Sequence, residues 1–289
     1  MPAVRAEDGS VSFVERSDNQ ALLQLPCGRC VGCRVDRARS WAVRVMHEAQ
    51  MHESKCFVTL TYDPDCLPPN GSLRYSDYQS FMRRLRKRVR SPVRFYMCGE
   101  YGEKLLRPHY HACLFGVEFG DRTPYRRGPE TLYRSALLES LWPHGFSSVG
   151  DLTMESAEYV ARYCVQKVVG SWAVAHYERL SPDGEFVRLV PEFNRMSLKP
   201  GIGAKWFEAF ADTDLYTHDR VFLGDREFPV PRYYDKLLAL RPGFEVDEVK
   251  FDRFAKVDET SRFHSSPNRL AVREQVVEAG LRSKSRSLK

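Results

Sequence analysis

The sequence predicts an α+β fold in which helices flank an antiparallel sheet. Residues 56–62 are rich in β-branched and aromatic side chains and end at strong turn signals, as expected of a strand. Residues 93–98 and 109–115 have the same character, and the polar, glycine-containing segment between them favours an antiparallel hairpin. Amphipathic segments separate these strands. The order is therefore βαββαβα-like, which packs helices on an antiparallel sheet.

The N-terminal elements are a turn region and two helices. Residues 1–21 are polar and aperiodic, residues 22–33 form a cysteine-bearing turn region, and residues 34–54 repeat apolar side chains at helical spacing. After the first strand, Ser76 and Asp77 are predicted to cap a helix that extends to Val89. This helix carries apolar side chains on one face and arginines on the other.

Three more elements and a less regular region follow the hairpin. Residues 129–141 predict an amphipathic helix, residues 146–149 a short strand, and residues 153–169 another helix. After Lys167, aromatic clusters alternate with proline and glycine, which indicates mostly irregular and helical structure. From Arg262 the chain is basic and short of large apolar side chains, so we expect a flexible tail.

The charge of the chain points to a polyanionic partner. The formal net charge is +6, and basic side chains concentrate in the predicted helix over residues 81–90. The candidates for contacts with a DNA backbone are Arg83, Arg84, Arg86, Lys87, Arg88 and Arg90. The candidates for stacking on bases are Tyr96, Tyr101, Tyr110 and Phe115. The alternative for the helix is an ordinary solvated charged face.

The composition argues against a membrane protein or a secreted disulfide protein. No apolar run reaches the ~20 residues of a membrane helix, and the N-terminal residues lack the hydrophobic segment of a signal peptide. The 8 cysteines in 289 residues are too sparse for a disulfide scaffold. We therefore expect a soluble intracellular protein whose cysteines are thiols or metal ligands.

Two histidines form the strongest candidate site. Strand alternation points the imidazoles of His109 and His111 to one face. Glu100 follows the preceding strand and would lie near them at the mouth of the hairpin, with Glu103 as the alternative carboxylate. Two imidazoles and a carboxylate leave coordination positions open for a phosphate oxygen, and this mixed set permits Mg²⁺ or Mn²⁺. A cross-strand polar pair without a metal is the alternative.

Two tyrosines and a lysine recur at helical spacing after the histidines. Tyr159, Tyr163 and Lys167 are each four residues apart, so they share one helix face. A phenol beside a metal is a candidate nucleophile, and the lysine could stabilise a phenolate or developing charge on a phosphate. The alternatives are an aromatic core stripe and a solvated lysine at the helix end.

The turn region before the first helix has the close cysteine spacing of zinc knuckles. Its thiols are those of Cys27, Cys30 and Cys33. Three thiolates do not complete a tetrahedral structural Zn²⁺ site, so a fourth ligand must come from Cys56, Cys66, His47 or a partner chain. A metal-free turn and an iron–sulfur cluster are the alternatives.

Three segments together resemble the motifs of HUH endonucleases. Residues 57–63 (Phe-Val-Thr-Leu-Thr-Tyr-Asp) resemble the first motif, residues 107–111 the metal motif, and residues 159–167 the two-tyrosine nucleophile motif. The set is similar to that of the rolling-circle replication initiators of microvirus-type (gokushovirus-like) single-stranded DNA phages. The resemblance covers residues 26–167, and residues 196–203 also resemble a stretch of these initiators.

The resemblance implies a fold, a reaction and partners. The fold is a ferredoxin-like or RRM-like sheet, which periodicity alone does not fix. A tyrosine at 159 or 163 would attack single-stranded or locally melted origin DNA beside the divalent ion, leaving a 5′-phosphotyrosine and a free 3′-hydroxyl. With two tyrosines, one can hold the 5′ end while the other cleaves the regenerated origin. The implied setting is the cytoplasm of a bacterial host, with a host helicase and polymerase as partners.

On this basis we expect the chain to have four regions. Residues 1–21 are a polar N-terminal segment, and residues 22–170 are an HUH endonuclease domain with a cysteine-containing N-terminal element. Residues 171–261 are a C-terminal extension, and residues 262–289 are a basic flexible tail.

Other functions are alternatives to a replication initiator. An HUH transposase or a plasmid relaxase-type enzyme would share the chemistry, whereas a catalytically silent single-stranded nucleic-acid-binding module would lack it. A cupin-like metal oxygenase also uses His-x-His, but no glutamate and later histidine follow at strand spacing. No Gly-x-x-x-x-Gly-Lys-Ser/Thr loop is present, which excludes an ATP-driven helicase domain of that type. The sequence leaves open the origin sequence, the host, the oligomeric state and which tyrosine acts first.

Overall fold

A computed structural model describes most of the chain, in two compact units. The described residues are 2–5, 11–12, 22–24, 26–102, 105–128, 130–166, 172–181, 183–243, 246–256 and 263–283. Those up to Arg37 and those after Asp258 form the first unit, and those from Ala38 to Val257 form the second.

The elements are numbered in chain order. The strands are β1 (Pro2–Arg5), β2 (Val11–Ser12), β3 (Leu22–Gln24), β4 (Lys55–Thr61), β5 (Arg94–Tyr101), β6 (Pro108–Phe115), β7 (Thr123–Arg126), β8 (Leu132–Arg134), β9 (Ser147–Gly150), β10 (Glu178–Leu180), β11 (Phe186–Arg188), β12 (Phe193–Met196), β13 (Arg220–Leu223) and β14 (Arg226–Pro229). The helices are α1 (Val31–Gln50), α2 (Tyr75–Val89), α3 (Ala136–Leu141), α4 (Met154–Gln166), α5 (Trp172–Tyr177), α6 (Ala204–Phe210), α7 (Arg232–Leu238), α8 (Val246–Ala255) and α9 (Pro267–Ser283).

The first unit contains a small antiparallel sheet and residues of two helices. Strand β1 lies between β2 and β3 and pairs with both of them in antiparallel register. The first residues of α1 and the whole of α9 also belong to this unit. The cysteine-bearing turn lies directly before α1.

The second unit is built on a seven-stranded antiparallel sheet with the order β12-β5-β6-β4-β9-β8-β7. Four adjacent strands of the sheet and two helices occur along the chain in the order β4-α2-β5-β6-α3-β9, with β7 and β8 inserted between β6 and α3. This is the βαββαβ succession of a ferredoxin-like unit. The predicted α+β fold, an antiparallel sheet with flanking helices, is therefore confirmed.

The two faces of this sheet carry different helices. On one face, α2 and α3 pack on the strands around the fully buried rings of Tyr78, Phe81 and Trp142. On the other face, α1 and α4 cover a second core cluster to which they contribute Ala42 and Val160. The ferredoxin-like helices α2 and α3 thus share one face, which leaves the opposite face to α1 and α4.

Two helix predictions differ from the structure at their N-terminal ends. Ser76 and Asp77 do not cap α2, which begins at Tyr75 without any side-chain cap. The Asp77 carboxylate instead accepts a hydrogen bond of 2.8 Å from the hydroxyl of Tyr62. Of the predicted helix over residues 129–141, only α3 is helical, because the preceding residues form strand β8 and the Ser135 hydroxyl caps α3.

The C-terminal residues contain more strand than the sequence predicted. Strand β12 joins the large sheet beside β5, and β10-β11 and β13-β14 form two separate hairpins. A third core cluster includes Trp206, Phe207 and Tyr234 from α6 and α7. Helix α9 lies within the stretch predicted as a tail. The division into four regions stays a prediction.

The described helices are too short or too polar to span a membrane. The longest of them, α1, has 20 residues but carries charged side chains along its length. Among the helices that the structure describes, none combines the length and the apolar character needed to cross a bilayer.

Candidate active site

The two histidines project from β6 toward the face that α1 and α4 cover. His109 pairs with Glu100 of β5 and His111 pairs with Cys98, so the register brings the carboxylate beside the imidazoles. The intervening Tyr110 points to the opposite face, where it is fully buried among the core aromatics. The predicted alternation along this strand is therefore confirmed.

His111 is held on both sides of its ring. Its Nε2 lies 2.8 Å from Oε1 of Glu100, and its Nδ1 lies 2.9 Å from the hydroxyl oxygen of Thr59. Thr59 sits directly opposite His111 in the neighbouring strand β4. Both His111 and Glu100 are buried. The hydroxyl and the carboxylate together fix the plane of the imidazole.

His109 occupies a tight space beside a glycine. A Cβ atom on Gly102 would lie 2.9 Å from Cε1 and 3.0 Å from Nε2 of the ring, so only glycine leaves room for this imidazole. The backbone N–H of Gly102 donates to the carbonyl of Arg107, which closes the turn between β5 and β6. Burial, together with the neighbouring His111, lowers the pKa of His109 below its ordinary value. Both effects favour the neutral form of the ring.

Helix α4 brings a phenol to this group. The Tyr159 hydroxyl lies 3.4 Å from Oε1 of Glu100 and 3.5 Å from Nε2 of His111. Its ring meets the His111 imidazole edge to face, with 5.0 Å between the centroids. At the start of the helix, the backbone N–H of Thr153 donates to the Ser156 hydroxyl, and the N–H of Ser156 donates to the Thr153 hydroxyl. These bonds fix the turn from which Tyr159 projects.

Two imidazoles and a carboxylate are donor types that a divalent cation accepts, although the ligand atoms of these three residues do not all lie within 4.8 Å of one another. Nδ1 of His109 is buried and has no hydrogen-bond partner among the residues that the structure describes. A buried polar atom without a partner is costly unless something else satisfies it. Together with the His111 imidazole and the Glu100 carboxylate, it would offer a cation two nitrogen ligands and one oxygen ligand. Other positions on an ion held there would stay open for a substrate.

Comparison with known proteins assigns the chain to a family. The family model for replication-associated protein ORF2/G2P matches residues 55–168, which include the two histidines and Tyr159. Replication-associated protein VP4 of Bdellovibrio phage phiMH2K is 32% identical over 228 residues, covering 75% of this chain and 68% of that protein. Replication-associated protein ORF2 of Spiroplasma virus 4 is 33% identical over 267 residues, covering 85% and 78%. The chain belongs to this family of microvirus-like replication-associated proteins.

A third relative is similar over a smaller share of its own length. Replication-associated protein ORF4 of Chlamydia phage 1 is 30% identical over 229 residues, covering 76% of this chain and 54% of the relative. No solved structure matches the chain. The resemblance inferred from the three sequence motifs is thus confirmed at the level of the replication-associated protein family.

Some predicted site residues of this replication-associated protein lie outside the described structure. Tyr163 is in α4, one helical turn after Tyr159, but its side chain is outside the described residues. Lys167 and the alternative carboxylate Glu103 are outside them altogether. The carboxylate that lies beside the histidines is Glu100. The roles of all these residues stay predictions.

The structure does not bring the basic residues of α2 to this site. The six predicted DNA contacts lie on or directly after a helix that packs on the opposite face of the sheet. Arg84 donates to the carbonyl of Leu141, and Arg86 donates twice to that of Val93, so these two side chains also stabilise the fold. Contact of this helix with DNA stays a prediction.

The predicted base-stacking residues of the replication-associated protein are mostly in the core. Tyr96, Tyr110 and Phe115 are fully buried, so they cannot stack on bases and that prediction is wrong. The Tyr101 hydroxyl donates to the carbonyl of Val190 and accepts from the N–H of Leu73. These strand aromatics serve packing because the sheet is covered on both faces.

The predicted cysteine cluster is present. The sulfurs of Cys27, Cys30 and Cys33 all lie within 4.8 Å of one another, a group that could hold a metal ion. Within the described part of the chain, no further histidine, cysteine or carboxylate joins this group. Two of the proposed fourth ligands are committed elsewhere: Nδ1 of His47 lies 2.8 Å from the Tyr234 hydroxyl, and Cys56 is fully buried in a core cluster.

Thr59 and Gly102 are the site residues that sequence reasoning missed. Thr59 lies inside the first motif, but its role depends on which strand pairs with β6. Gly102 ends the Gly-Glu-Tyr-Gly stretch that marked Glu100, yet its steric role appears only from the position of the His109 ring. Both residues lie within motifs that the sequence shows, but their contacts with the histidines become visible only in the folded structure.

Proposed function

We propose that this chain is a site-specific single-strand DNA endonuclease and strand transferase that initiates rolling-circle replication of a phage genome. The observation that carries the proposal is the position of the Tyr159 hydroxyl, 3.4 Å from Glu100 and 3.5 Å from His111. Membership of the replication-associated protein family supports the replication role. The proposed substrate is single-stranded or locally melted origin DNA.

His109, His111 and Glu100 would hold Mg²⁺ or Mn²⁺, as their donor atoms suit either ion. When bound, the ion would polarise the scissile phosphate toward attack. The Thr59 hydroxyl fixes the orientation of the His111 ring, and Gly102 leaves room for the His109 ring. All three proposed ligands project from strands rather than from a loop, which supports a fixed ligand geometry.

The reaction follows from the placement of the phenol. The Tyr159 oxygen attacks the phosphorus, and its proton passes to the Glu100 carboxylate, which lies within reach of the phenol. The bond from phosphorus to the 3′ oxygen breaks, and that oxygen takes up a proton. The products are a 5′-phosphotyrosine and a free 3′-hydroxyl that can prime a polymerase. Tyr163 would act as the second nucleophile, and Lys167 would stabilise the developing charge.

The proposed setting is the cytoplasm of a bacterial host. A host helicase and polymerase would provide unwinding and synthesis. Family membership favours a phage initiator over a transposase or plasmid relaxase-type enzyme. A catalytically silent binding module is the competing function, because it would bind DNA without forming any covalent bond.

The test is the covalent adduct. Purified protein is incubated with Mn²⁺ and end-labelled single-stranded origin oligonucleotides, and a denaturant-resistant protein–DNA adduct is expected. Tyr159→Phe should abolish or strongly reduce first-strand adduct formation, whereas Tyr125→Phe, which removes a hydroxyl from a half-exposed tyrosine of β7, should not. Peptide mapping of the adduct then identifies the nucleophile.

Removal of the metal ligands is the matching test. His109→Ala and His111→Ala should abolish nicking while leaving salt-sensitive DNA binding largely intact. Nicking at the wild-type rate in excess chelator would contradict the metal role. Tight DNA binding with no adduct on any oligonucleotide would favour the binding module.

A further inference from the structure

The cysteine cluster at the start of α1 has the dimensions of a single-ion site. The sulfurs of Cys27 and Cys33 are 3.9 Å apart, and all three sulfurs lie within 4.8 Å of one another. A tetrahedral Zn²⁺ site with Zn–S bonds of about 2.3 Å places its sulfurs about 3.8 Å apart. In a [4Fe–4S] cluster each thiolate binds a different iron atom, and in a [2Fe–2S] cluster no more than two thiolates share one, so three thiolates do not all lie this close together. The observed spacing therefore favours one ion.

The backbone around the cluster is arranged to stabilise thiolates. The N–H groups of Arg29 and Cys30 point to the Cys27 sulfur at 3.4 and 3.2 Å, and the N–H of Cys33 points to the Cys30 sulfur at 3.5 Å. Gly28, with a φ of +71°, allows the tight turn that aims the first two. Donors aimed at sulfur favour the charged form, which is the form that binds metals.

The closeness of the three sulfurs would work against three free thiolates. All three sulfurs lie within 4.8 Å of one another, so negative charges on them would repel one another. A bound divalent ion would remove that repulsion.

We propose that Cys27, Cys30 and Cys33 bind one Zn²⁺ as thiolates, with a water molecule as the fourth ligand. Soft thiolates select zinc over the Mg²⁺ or Mn²⁺ expected at the histidines. Cys30 is exposed, so water can reach the ion. The ion would join Cys27 and Cys30 of the turn that precedes α1 to Cys33 in the first turn of the helix, and it would stabilise this start of α1. This inference does not depend on the proposed nuclease function.

The first experiment measures metal on the full chain. The His109→Ala, His111→Ala double variant removes the other candidate metal site, and its purified form is expected to retain about one Zn²⁺ per chain. Changing Cys27, Cys30 and Cys33 to serine in that background should remove the zinc. Cys66→Ser is the matched control, because Cys66 is an exposed thiol outside the cluster, and it should leave the zinc in place.

A second measurement uses no cysteine variant, so its result cannot come from misfolding of such a variant. Replacement of zinc by Co²⁺ in the otherwise wild-type chain should give the near-ultraviolet charge-transfer absorption of cobalt thiolates. Chelator should make three additional thiols reactive toward a thiol reagent, matching the three cysteines of the cluster. The His109→Ala, His111→Ala variant should give the same absorption, which separates this site from the nuclease site.

The outcomes that would overturn the proposal are distinct. Zinc content equal to that of the triple serine variant would mean that the cluster binds no metal. Visible absorption of an iron–sulfur cluster in anaerobically purified protein would replace zinc with iron. A Cys27–Cys33 disulfide in protein purified under reducing conditions would show that the close sulfurs serve bond formation instead.

Discussion

At the residue scale, the orientation of the His111 ring depends on the hydroxyl of Thr59. Thr59 supplies the partner of Nδ1, and this leaves Nε2 directed toward Glu100. Outer partners of this kind set the ring orientation and the basicity of metal-binding histidines. The geometry therefore assigns Thr59 a positioning role rather than a direct one.

Thr59→Val tests this role because it removes the hydroxyl with little change in shape. We expect Mn²⁺ affinity to fall by about 10- to 100-fold, with nicking restored at high Mn²⁺. Thr59→Ser keeps the hydroxyl and should behave like the wild type. Calorimetric Mn²⁺ titration and the metal dependence of nicking measure the effect. Wild-type affinity in the valine variant would contradict it.

Gly102→Ala tests the space beside His109. The added Cβ would lie within 3.0 Å of two ring atoms, so the imidazole must move. A displacement on the order of 1 Å at a reacting centre costs on the order of 100-fold in rate, and we expect a loss of that size in adduct formation. Gly120→Ala is the control, because nothing lies within 4 Å of its Cβ. Equal rates for both variants would contradict the steric argument.

The residue scale also shows how far sequence reasoning could reach. The side on which His109 and His111 lie follows from strand periodicity, and the choice of Glu100 follows from its motif. The Thr59 contact could not be predicted, since strand pairing between β4 and β6 joins residues far apart in the chain. The prediction that Tyr96, Tyr110 and Phe115 stack on bases was wrong for a related reason. The sequence did not show that helices cover both faces of the sheet and bury these rings.

At the element scale, helix α4 matters because it carries Tyr159 over the sheet. Its start is fixed by the reciprocal bonds of Thr153 and Ser156. Further along, the side-chain amide of Asn194 in β12 donates to the carbonyl of Val160 at 3.2 Å. The helix is therefore anchored at its first turn and again next to Tyr159.

Ser156→Ala should loosen the first of these anchors. Loss of an N-terminal cap costs about 1 kcal/mol of unfolding free energy. Urea unfolding followed by circular dichroism measures this loss. Ser140→Ala removes an exposed hydroxyl that bonds within α3, and it should have a smaller effect. If the two variants are equally stable, the cap of α4 is not a stabilising element.

Elements differed in how well their sequences predicted them. Helix α2 has four buried apolar residues at helical spacing, so its existence was evident although its cap was not. Strand β8 has only three residues and adjoins the start of α3, so the two read as one amphipathic helix. The strands after α5 have three or four residues each, too few to establish an alternating pattern.

At the scale of the whole molecule, acid sensitivity is expected from buried histidine. His47 is buried, and desolvation lowers its pKa from the ordinary 6.5 to about 3. The unfolded chain therefore takes up a proton at a higher pH than the folded chain does. The contribution of neutral His47 to the free energy of unfolding is fully present above about pH 6.5. It is lost progressively as the pH falls toward about 3.

The expected size of this effect can be measured directly. His47 alone should reduce the free energy of unfolding by up to about 2 kcal/mol between pH 7 and pH 5. His47→Gln retains a group that can bond to Tyr234 but does not titrate, so its stability should depend less on pH. Urea unfolding of both proteins at the two pH values gives the comparison. Parallel pH profiles would exclude His47 as the source.

Strand β12 has a consequence for anyone who shortens this protein. The family match ends at residue 168, but β12, at residues 193–196, hydrogen-bonds to the outer side of β5, the strand that carries Glu100. A fragment ending at residue 168 would leave the backbone of β5 open as a template for other chains. We expect such a fragment to aggregate, whereas one extended past residue 196 should stay dispersed. The stretch that matches the family model is thus shorter than the smallest fragment suited to biochemical work.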